Sequence, residues 1–291
     1  MTGSRKPRNT IAFQGLPGAY SELACRSIFP RMATLPSAAF EDAFAAVRDG
    51  QARYAMIPIE NSVAGRVADI HRLMPESELF IVGEHFVRVN HHLLAPQGAT
   101  LEEIRSVHSH VHALGQCRKL IRKLNLRAVV HADTAGAAAE IAERGDPSQA
   151  AIGSALAGRV YGLDSLAANI EDAEHNTTRF LVLSRTPRRR SRNDGTLVTT
   201  FVFQVRNVPA ALYKALGGFA TNGINMTKLE SYMMGGDFAA TQFYADIEGD
   251  PRDRSVSLAM EELAFFSHRV KVLGTYPADA FRATNKPLDP G

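Results

Sequence analysis

The chain has 291 residues, of which 45% are hydrophobic and 22% are charged. These proportions predict a folded protein of about two domains and exclude a disordered or fibrous chain. A formal net charge of +3 is too small to predict nucleic-acid binding. The N-terminal stretch MTGSRKPRNTIAFQG lacks the apolar segment of a signal peptide, and no window approaches the roughly 18 apolar residues of a membrane span. We therefore expect a cytoplasmic protein with neither membrane nor nucleic-acid partners.

Short apolar runs alternate with amphipathic segments from about Asn9 to Arg185, which predicts an α/β domain. The runs are TIAFQG, RYAMIPI, LFIVGE, IRSVHS, RAVVHA, AAIGS and RFLVLS. Helix starts are predicted at Ser37, at a capping box of Thr100 with Glu103, and at Asp133. The two cysteines, Cys25 and Cys117, form no CxxC pattern and are expected to be buried thiols, without a disulfide framework or zinc site.

The stretch RTPRRRSRNDG, residues 185–195, ends the alternation with proline, glycine and arginines. We interpret it as a solvated linker between domains, since no aromatic residues are interleaved as in a nucleic-acid contact. A βαββαβ unit is predicted after it, from TLVTTFVFQV, a helix between Pro209 and Gly223, INMTKLESYM, FAATQFYADI, a helix over 252–267 and HRVKVLGTY. This order predicts a ferredoxin-like sandwich whose bare sheet face could pair with another copy, followed by a loosely held tail from Ala278.

Two motifs follow predicted strands near the N-terminus. In FQGLPGAYSE, residues 13–22, the glycines could let backbone N–H groups bind a carboxylate, or could simply form a tight turn into a helix. The motif is not GxGxxG, so a dinucleotide site is not indicated. In IPIENSVAGRV, Glu60, Asn61 and Ser62 lie at the carboxyl end of a strand, where open α/β sheets bind ligands. A helix cap would need only one of these polar residues.

Three histidines, His108, His110 and His112, stand at alternate positions and would chelate a metal if they lay on a strand. The helical spacing of LGQCRKLIRKL instead predicts that a helix begins near Ser109 or His110, which scatters the three rings. In that case Ser109 caps the helix and Gln116 is available to a ligand, although both could equally be surface residues.

Small or hydroxyl residues stand at two further predicted helix starts, Thr134 in DTAGAA and Ser154 in AAIGSALAG. They predict either close helix–sheet packing or a second anion site. In HNTTRF, Thr178 and Arg179 enter a strand. Arg179 could bind a carboxylate while the Thr178 hydroxyl donates to a departing oxygen, or the pair could be a strand start with a surface arginine.

In combination these motifs resemble prephenate dehydratases, through FQGLPGAYSE, IPIENSVAG, HSHVHALGQC, DTAGAA, AAIGSALAGRVYGL and HNTTRFLVL. NVPAALYKAL and GINMTKLES resemble the ACT regulatory domain of that family, in which NTTRF and PIENS are specific strings. The resemblance implies an α/β catalytic domain over 9–186 with two lobes, like a type 2 periplasmic binding protein, and lobe crossings near residues 84 and 173. It further implies a basic linker over 187–196, a ferredoxin-like ACT domain over 197–276 and a tail over 277–291.

The resemblance also implies the reaction: prephenate loses CO2 and water to give phenylpyruvate in L-phenylalanine biosynthesis, with no metal or cofactor. Thr178 would be the catalytic hydroxyl. The substrate-binding residues would be Arg179, Asn61, Ser62, Ser109, Gln116 and Thr134, together with Glu60 of the same motif. L-Phenylalanine would act as effector between ACT domains of a homodimer or homotetramer, at Asn207, Val208, Pro209, Ala210, Ala211, Leu212, Glu230 and Ser231.

The sequence departs from the family pattern at several of these motifs. Ala19 replaces Thr, Val111 and His112 replace Pro and Gln, Asp133 replaces Ser, Ala210 replaces Gly, and Tyr232 and Met233 replace Arg and Pro. The departures leave open a hydroxyl role beside Thr134 and the inhibition by phenylalanine. Three other functions remain as alternatives: an arogenate dehydratase, a non-catalytic amino acid sensor, and a metal-dependent enzyme that uses the histidines.

Overall fold

The computed structural model describes residues 9–67, 70–206, 208–233 and 240–284. Its strands are β1 (Thr10–Gln14), β2 (Ala33–Ser37), β3 (Tyr54–Asn61), β4 (Gly65–Arg66), β5 (Phe80–Arg88), β6 (His92–Ala95), β7 (Ser106–Ser109), β8 (Arg127–Val130), β9 (Gln149–Gly153), β10 (Asp164–Ala168), β11 (Thr177–Ser184), β12 (Leu197–Val205), β13 (Met226–Met233), β14 (Ala240–Glu248) and β15 (Ser267–Pro277). Its helices are α1 (Tyr20–Ile28), α2 (Phe40–Arg48), α3 (Ile70–Glu76), α4 (Val111–Gln116), α5 (Arg118–Lys123), α6 (Thr134–Arg144), α7 (Ala155–Tyr161), α8 (Ala211–Thr221), α9 (Arg254–Phe266) and α10 (Phe281–Thr284).

The first sheet has the strand order β2-β1-β3-β11-β5, and the short strand β4 pairs with β3. β1 runs parallel to both β2 and β3. Apolar residues of its central strands, such as Ile11, Phe13 and Ile57, have no exposed surface. Strands that are covered on both faces read as continuous apolar runs, which is why the sequence predicted them. The last residue of β3, Asn61, and the first residues of the neighbouring β11 carry the two polar motifs.

The second sheet has the order β10-β6-β9-β7-β8 and contains both parallel and antiparallel pairs. β7 is parallel to β8 and β9, whereas β6 is antiparallel to β9 and β10. Leu93, Val107, Leu114 and Ile152 form part of one buried cluster that holds α4 near this sheet. The predicted α/β alternation of this half of the chain is therefore confirmed.

The third sheet is antiparallel, with the order β13-β14-β12-β15. Its core contains Phe201, Phe219, Phe243 and Leu263, and the rings of Phe201 and Phe219 stack at 5.8 Å. The predicted βαββαβ element order is confirmed. The predicted turn at MGGD, residues 234–237, lies outside the described residues.

The chain forms two compact units, Met1–Ala68 with His85–Phe180 and Asp69–Glu84 with Leu181–Gly291. Strands β5 and β11 each have residues in both units.

No helix in the described ranges is long and apolar enough to cross a membrane. Cys25 and Cys117 are buried free thiols, as predicted, and burial raises the pKa of each.

Two of the three predicted helix starts need correction. Ser37 ends β2, and α2 is capped instead at Ala39, whose backbone N–H donates to Asp42. Thr100 does bond to Glu103, but only a turn follows because the chain leads directly toward β7. The prediction for Asp133 is confirmed, since its carboxylate accepts from the N–H of Gly136 at 2.7 Å.

The expectation of a loosely held tail is wrong for residues 278–284. These residues include α10, and Arg282 of that helix donates two hydrogen bonds to Glu84, at 2.6 and 2.9 Å. The Glu84 side chain is fully buried, so the tail supplies its counter-charge. The backbone N–H of Asp279 also donates to Glu84, at 3.2 Å. Sequence composition could not reveal these contacts, because they join residues far apart in the chain.

Candidate active site

The motifs PIENS and HNTTRF are joined by Ser62. Its hydroxyl donates to the carbonyl oxygen of His175 at 2.7 Å and accepts from the backbone N–H of Thr177 at 3.0 Å. The backbone N–H of Ser62 donates to the carbonyl of Thr177 at 2.9 Å. Ser62 therefore fixes the two motifs against each other, and its hydroxyl hydrogen is used within the protein.

Asn61 determines what the neighbouring side chains can donate and accept. Its Oδ1 accepts from the backbone N–H groups of Val63 and Ala64, at 2.9 and 2.7 Å. This fixes the orientation of the amide, so Nδ2 lies on the other side. Nδ2 donates to Asn176 Oδ1 at 2.8 Å and to Thr178 Oγ1 at 2.9 Å.

Thr178 is 9% exposed, and its hydroxyl oxygen accepts the bond from Asn61. Within the described ranges its hydroxyl hydrogen has no acceptor. A threonine hydroxyl has one hydrogen to donate. The geometry therefore leaves that hydrogen available to a ligand oxygen.

Gln116, at the end of α4, lies near this group through Asn176. Gln116 Oε1 accepts from Asn176 Nδ2 at 3.0 Å, and it lies 2.8 Å from His91 Nε2. Asn176 is only 1% exposed. In the described part of the chain the carboxamide nitrogen of Gln116 has no hydrogen-bond partner, so its N–H groups can donate to a ligand.

Arg179 is a buried cation, with 2% of its surface exposed. Its Nη1 lies 3.0 Å from Glu60 Oε1, and its guanidinium lies 6.0 Å from the ring of Phe86. A buried charge requires a nearby counter-charge, and Glu60 supplies one. Glu60 and Arg179, each predicted to line the substrate site, thus form an ion pair with each other.

Ser109 and Thr134 are bonded elsewhere. The buried Ser109 hydroxyl donates to the carbonyl of Ile152 at 2.6 Å, and the cap of α4 is His110 instead of Ser109. Thr134 is the first residue of α6. In the described ranges neither hydroxyl is hydrogen-bonded to Thr178 or Gln116.

The glycine turn of FQGLPGAYSE is occupied by a carboxylate of the chain itself. The N–H of Gly18 donates to Glu22 at 2.7 Å. Burial disfavours the Glu22 carboxylate, but hydrogen bonds from Gly18 and Arg26 lower its pKa. Gly18 has φ +91°, and a Cβ there would lie 2.8 Å from Ala157 Cα, so only glycine fits.

The histidine run divides between β7 and α4, as the helical interpretation predicted. His108 lies on β7, whereas His110 and His112 stand at the start of α4 with ring centroids 5.0 Å apart. Burial lowers the pKa of His108 and His110. No group of three or more histidine, cysteine, aspartate or glutamate side chains in the described ranges is arranged to hold a metal ion.

Sequence reasoning missed three residues of the site. Asn176 directly precedes Thr177 in HNTTRF, and its amide could have been noticed there. His91 bonds to Gln116, and its Nδ1 lies 2.6 Å from the hydroxyl of Tyr20. Nothing in the local sequence distinguishes His91 from its neighbour His92, because the contact joins residues far apart in the chain.

The predicted effector residues lie in the second unit, except that Asn207 is outside the described residues. Val208 is 56% exposed and, with Ala211, lines a cavity of about 240 Å³. The other lining residues are Arg206, Lys214, Phe265 and Phe266. Ala210 is the N-cap of α8 with φ +60°, a left-handed conformation that costs alanine energy and glycine little.

The remaining effector candidates have their own contacts. Pro209 is exposed and Leu212 packs against the core of the second unit. On β13, Glu230 accepts from Lys228 Nζ at 2.7 Å and from the Tyr232 hydroxyl at 2.5 Å, while Ser231 is exposed. Tyr232, one of the departures from the family motif, thus bonds to the predicted effector residue Glu230.

Comparison with known proteins places these features in context. Residues 11–188 match the family model for prephenate dehydratase. The chain is 53% identical over 272 residues to the bifunctional N-acyl-homoserine lactone acylase/prephenate dehydratase of Komagataeibacter europaeus. The match covers 94% of this chain and 97% of that protein. It is 38% identical over 286 residues to the chloroplastic arogenate dehydratase/prephenate dehydratase 1 of Arabidopsis thaliana, covering 94% and 73%.

Similarity to solved structures extends over nearly the whole chain. The prephenate dehydratase of Arthrobacter aurescens in complex with L-Phe has a TM-score of 0.85 at 31% identity. The match covers 96% of this chain and 92% of that one.

Proposed function

Because the chain belongs to the prephenate dehydratase family, we propose that it converts prephenate to phenylpyruvate, CO2 and water. The bond to the ring carboxylate breaks to release CO2, and its electron pair makes the ring aromatic. The ring hydroxyl leaves with its own bonding pair and takes up a proton to form water. Since aromatisation drives the reaction, the protein mainly has to orient a dianion and stabilise the departing oxygen.

The observation that carries this proposal is the direction of the bond between Asn61 and Thr178. Asn61 donates to Thr178 Oγ1, so the threonine hydrogen is directed to the remaining partner, the departing oxygen. Threonine is a weak acid, and here it acts as a hydrogen-bond donor that stabilises developing negative charge. Within the described ranges this hydrogen has no competing acceptor.

The two substrate carboxylates need donors of their own. We assign one of them to the carboxamide of Gln116. Arg179 is buried and already paired with Glu60, so its contact with the other carboxylate stays a prediction. Ser62 acts by joining the two motifs. Substrate contacts by Ser109 and Thr134 stay predictions.

The reaction is tested by mixing the purified chain with prephenate and following phenylpyruvate by its absorbance in alkali. We expect turnover far above the uncatalysed rate, and the same rate with a chelator present. A chain that binds prephenate without turnover would contradict the proposal and favour an amino acid sensor. Loss of activity with the chelator would favour a metal-dependent enzyme.

Arogenate is the competing substrate, and the name of the Arabidopsis relative includes both activities. Arogenate carries an ammonium and a carboxylate where prephenate carries a keto acid. The ratio of kcat/KM for the two substrates, measured on one preparation, decides between them. We propose a ratio in favour of prephenate.

A second activity is suggested by the relative from Komagataeibacter, whose name includes N-acyl-homoserine lactone acylase and which is 53% identical to this chain. The chain would then hydrolyse the amide bond of an acyl-homoserine lactone to a fatty acid and homoserine lactone. Release of the free amine from a long-chain substrate tests this. The absence of amine release while prephenate is turned over would exclude this second activity.

We also propose regulation by L-phenylalanine through an ACT domain over residues 197–276, joined by the linker 187–196 to a two-lobed catalytic domain over 9–186. The relative solved with L-Phe supports this, and Arg206 and Lys214 at the 240 Å³ cavity could attract a carboxylate. Prephenate turnover measured with and without phenylalanine tests it, and sedimentation measures whether a homodimer or homotetramer forms.

A further inference from the structure

We propose that His91 is a positioning residue for the dehydration: with Tyr20 it fixes the direction of a hydrogen-bond chain that keeps the Thr178 hydrogen for the substrate. The inference rests on the proposed function. The chain, here called the amide relay, consists of Tyr20, His91, Gln116, Asn176, Asn61 and Thr178. All six residues belong to the first compact unit.

One end of the amide relay is fixed by the backbone. Asn61 Oδ1 accepts from two backbone N–H groups, which cannot reverse their roles. Asn61 must therefore present its amide nitrogen to Asn176 and Thr178. Asn176 in turn must present Oδ1 to Asn61, because two facing donors would repel.

The middle of the relay follows from that end. With Oδ1 toward Asn61, Asn176 has its Nδ2 toward Gln116, at 3.0 Å. Gln116 must then present Oε1, which accepts this bond. The same Oε1 lies 2.8 Å from His91 Nε2, so Nε2 must carry a hydrogen.

The other end is set by Tyr20. A neutral imidazole with hydrogen on Nε2 has an acceptor at Nδ1, and the Tyr20 hydroxyl lies 2.6 Å from that atom. The Tyr20 hydroxyl has one hydrogen and a second acceptor nearby, the carbonyl oxygen of Asn90 at 3.1 Å. With Nε2 protonated, Tyr20 donates to the nearer acceptor, His91 Nδ1. The opposite tautomer would place an unprotonated nitrogen against Gln116 Oε1, and relief would require Gln116 and then Asn176 to turn over, against the fixed Asn61.

The surroundings of His91 keep the ring neutral. It is 2% exposed, and burial lowers its pKa, although the hydrogen bond to Gln116 and the charge of Glu171 oppose that shift. The other titratable groups that face it are Tyr20 and His92. A neutral ring can donate at one nitrogen and accept at the other, which the relay requires.

Two substitutions of His91 distinguish its role as a hydrogen-bond donor from its role in packing. His91→Gln keeps an N–H near the position of Nε2, whereas His91→Leu fills the space without a donor. The Tyr20 hydroxyl retains a partner in both, since the carbonyl of Asn90 lies 3.1 Å away. We expect kcat to fall about tenfold in H91L and less than about threefold in H91Q, with KM little changed, because the lost bond acts on the transition state.

The matched control is His92→Leu. His92 is the next residue, and its Nδ1 lies 2.9 Å from the Ser165 hydroxyl, outside the relay. We expect H92L to keep the wild-type kcat. A purely structural role of the segment that contains His91 and His92 would instead lower kcat alike in H91L, H91Q and H92L, and that result would overturn the inference.

The tautomer is measured independently of turnover, by long-range ¹H–¹⁵N correlation of the histidine rings in the full chain. We expect the Nε2–H signal for His91 in the wild type, and a mixture of tautomers in Tyr20→Phe. An Nδ1–H signal in the wild type overturns the inference. If the wild type turns over no prephenate, the proposed function fails, and the tautomer alone then decides whether the relay is directed as argued.

Discussion

Two groups of buried polar side chains, one in each compact unit, are held in different ways. Around Thr178, the contacts are made by uncharged amides, a hydroxyl and a neutral imidazole. In the second unit, the fully buried carboxylates of Glu84 and Asp246 lie 2.6 and 3.7 Å from the guanidinium of Arg282. Neutral groups have distinct donor and acceptor ends, whereas an ion pair is attractive in many orientations.

The difference indicates what each arrangement provides. A directed chain of neutral bonds determines where one hydrogen points, which matters for a donor to a leaving oxygen. A buried ion pair fixes the position of a segment, here α10, but its removal leaves uncompensated charge. We therefore expect substitutions in the amide relay to change kcat more than stability, and those at Arg282 to do the reverse.

Of the substitutions that leave Thr178 in place, reversing the donor at Asn61 should have the largest effect on kcat. Asn61→Asp keeps an oxygen for the backbone N–H groups but presents a second oxygen to Thr178, which would take its hydrogen. We expect kcat to fall about 100-fold, the scale of losing one donor to a developing anion. Steady-state kinetics of the isolated variant measures this.

The control for that substitution is Asn61→Leu, which offers Thr178 neither a donor nor an acceptor. Its kcat should lie above that of N61D because the threonine hydrogen stays free. Equal rates for N61D and wild type would show that bond direction at Thr178 does not matter.

Removing Arg282 tests the charged arrangement. Arg282→Met leaves Glu84 and Asp246 buried without their guanidinium, and we expect the free energy of unfolding to fall by about 3 kcal/mol. Arg269→Met, at an exposed position of β15, is the matched control and should change it little. Urea unfolding measures both, and a loss no larger in R282M than in R269M would contradict the comparison.

The neutral state of His91 in the amide relay predicts that the stability of the folded chain depends on pH. Burial lowers the pKa of His91 in the folded chain, whereas in the unfolded chain it should lie near its usual value of about 6.5. Below about pH 6.5 the unfolded state binds more protons, so stability present above that pH is lost as the pH falls. The free energy of unfolding, measured with urea between pH 7.5 and 5.5, should depend less steeply on pH in H91Q than in the wild type. An equal dependence on pH in the two proteins would argue against a buried neutral ring.

The smallest predicted effect concerns Ala210, where the family has glycine. Its φ of +60° is strained for alanine, so Ala210→Gly should raise the free energy of unfolding by about 1 kcal/mol despite the extra freedom of the unfolded chain. Ala220→Gly, at an exposed position within α8, should lower it by a similar amount. Thermal unfolding compares the stability of the two variants, and a destabilised A210G would contradict the left-handed conformation of residue 210.

The sequence predicted most of the fold because the strands are long apolar runs and the helices have a regular apolar face. Prediction from the sequence failed where individual hydrogen bonds determine the local structure. Ser37 looked like a cap, but Asp42 caps α2 from inside the helix. The tail looked polar and loose, yet Arg282 bonds to the buried Glu84.

The candidate site was predicted in part. HNTTRF and PIENS were identified, and the structure joins them through Ser62 and Asn61. His91 and Tyr20 could not be found, since a hydrogen bond between residues 71 positions apart leaves no local pattern. The direction of each bond also depends on the backbone groups that hold Asn61, which only coordinates reveal.

The central claim is that Thr178 supplies the hydrogen to the departing oxygen. The most direct measurement is kcat for Thr178→Val beside Thr178→Ser and Thr177→Val, all with prephenate. Thr177 makes its contacts to Ser62 through the backbone, so T177V is matched in shape and keeps them. We predict a fall of about 100- to 1000-fold in T178V, with substantial activity in T178S and T177V. Near wild-type turnover in T178V would contradict the account.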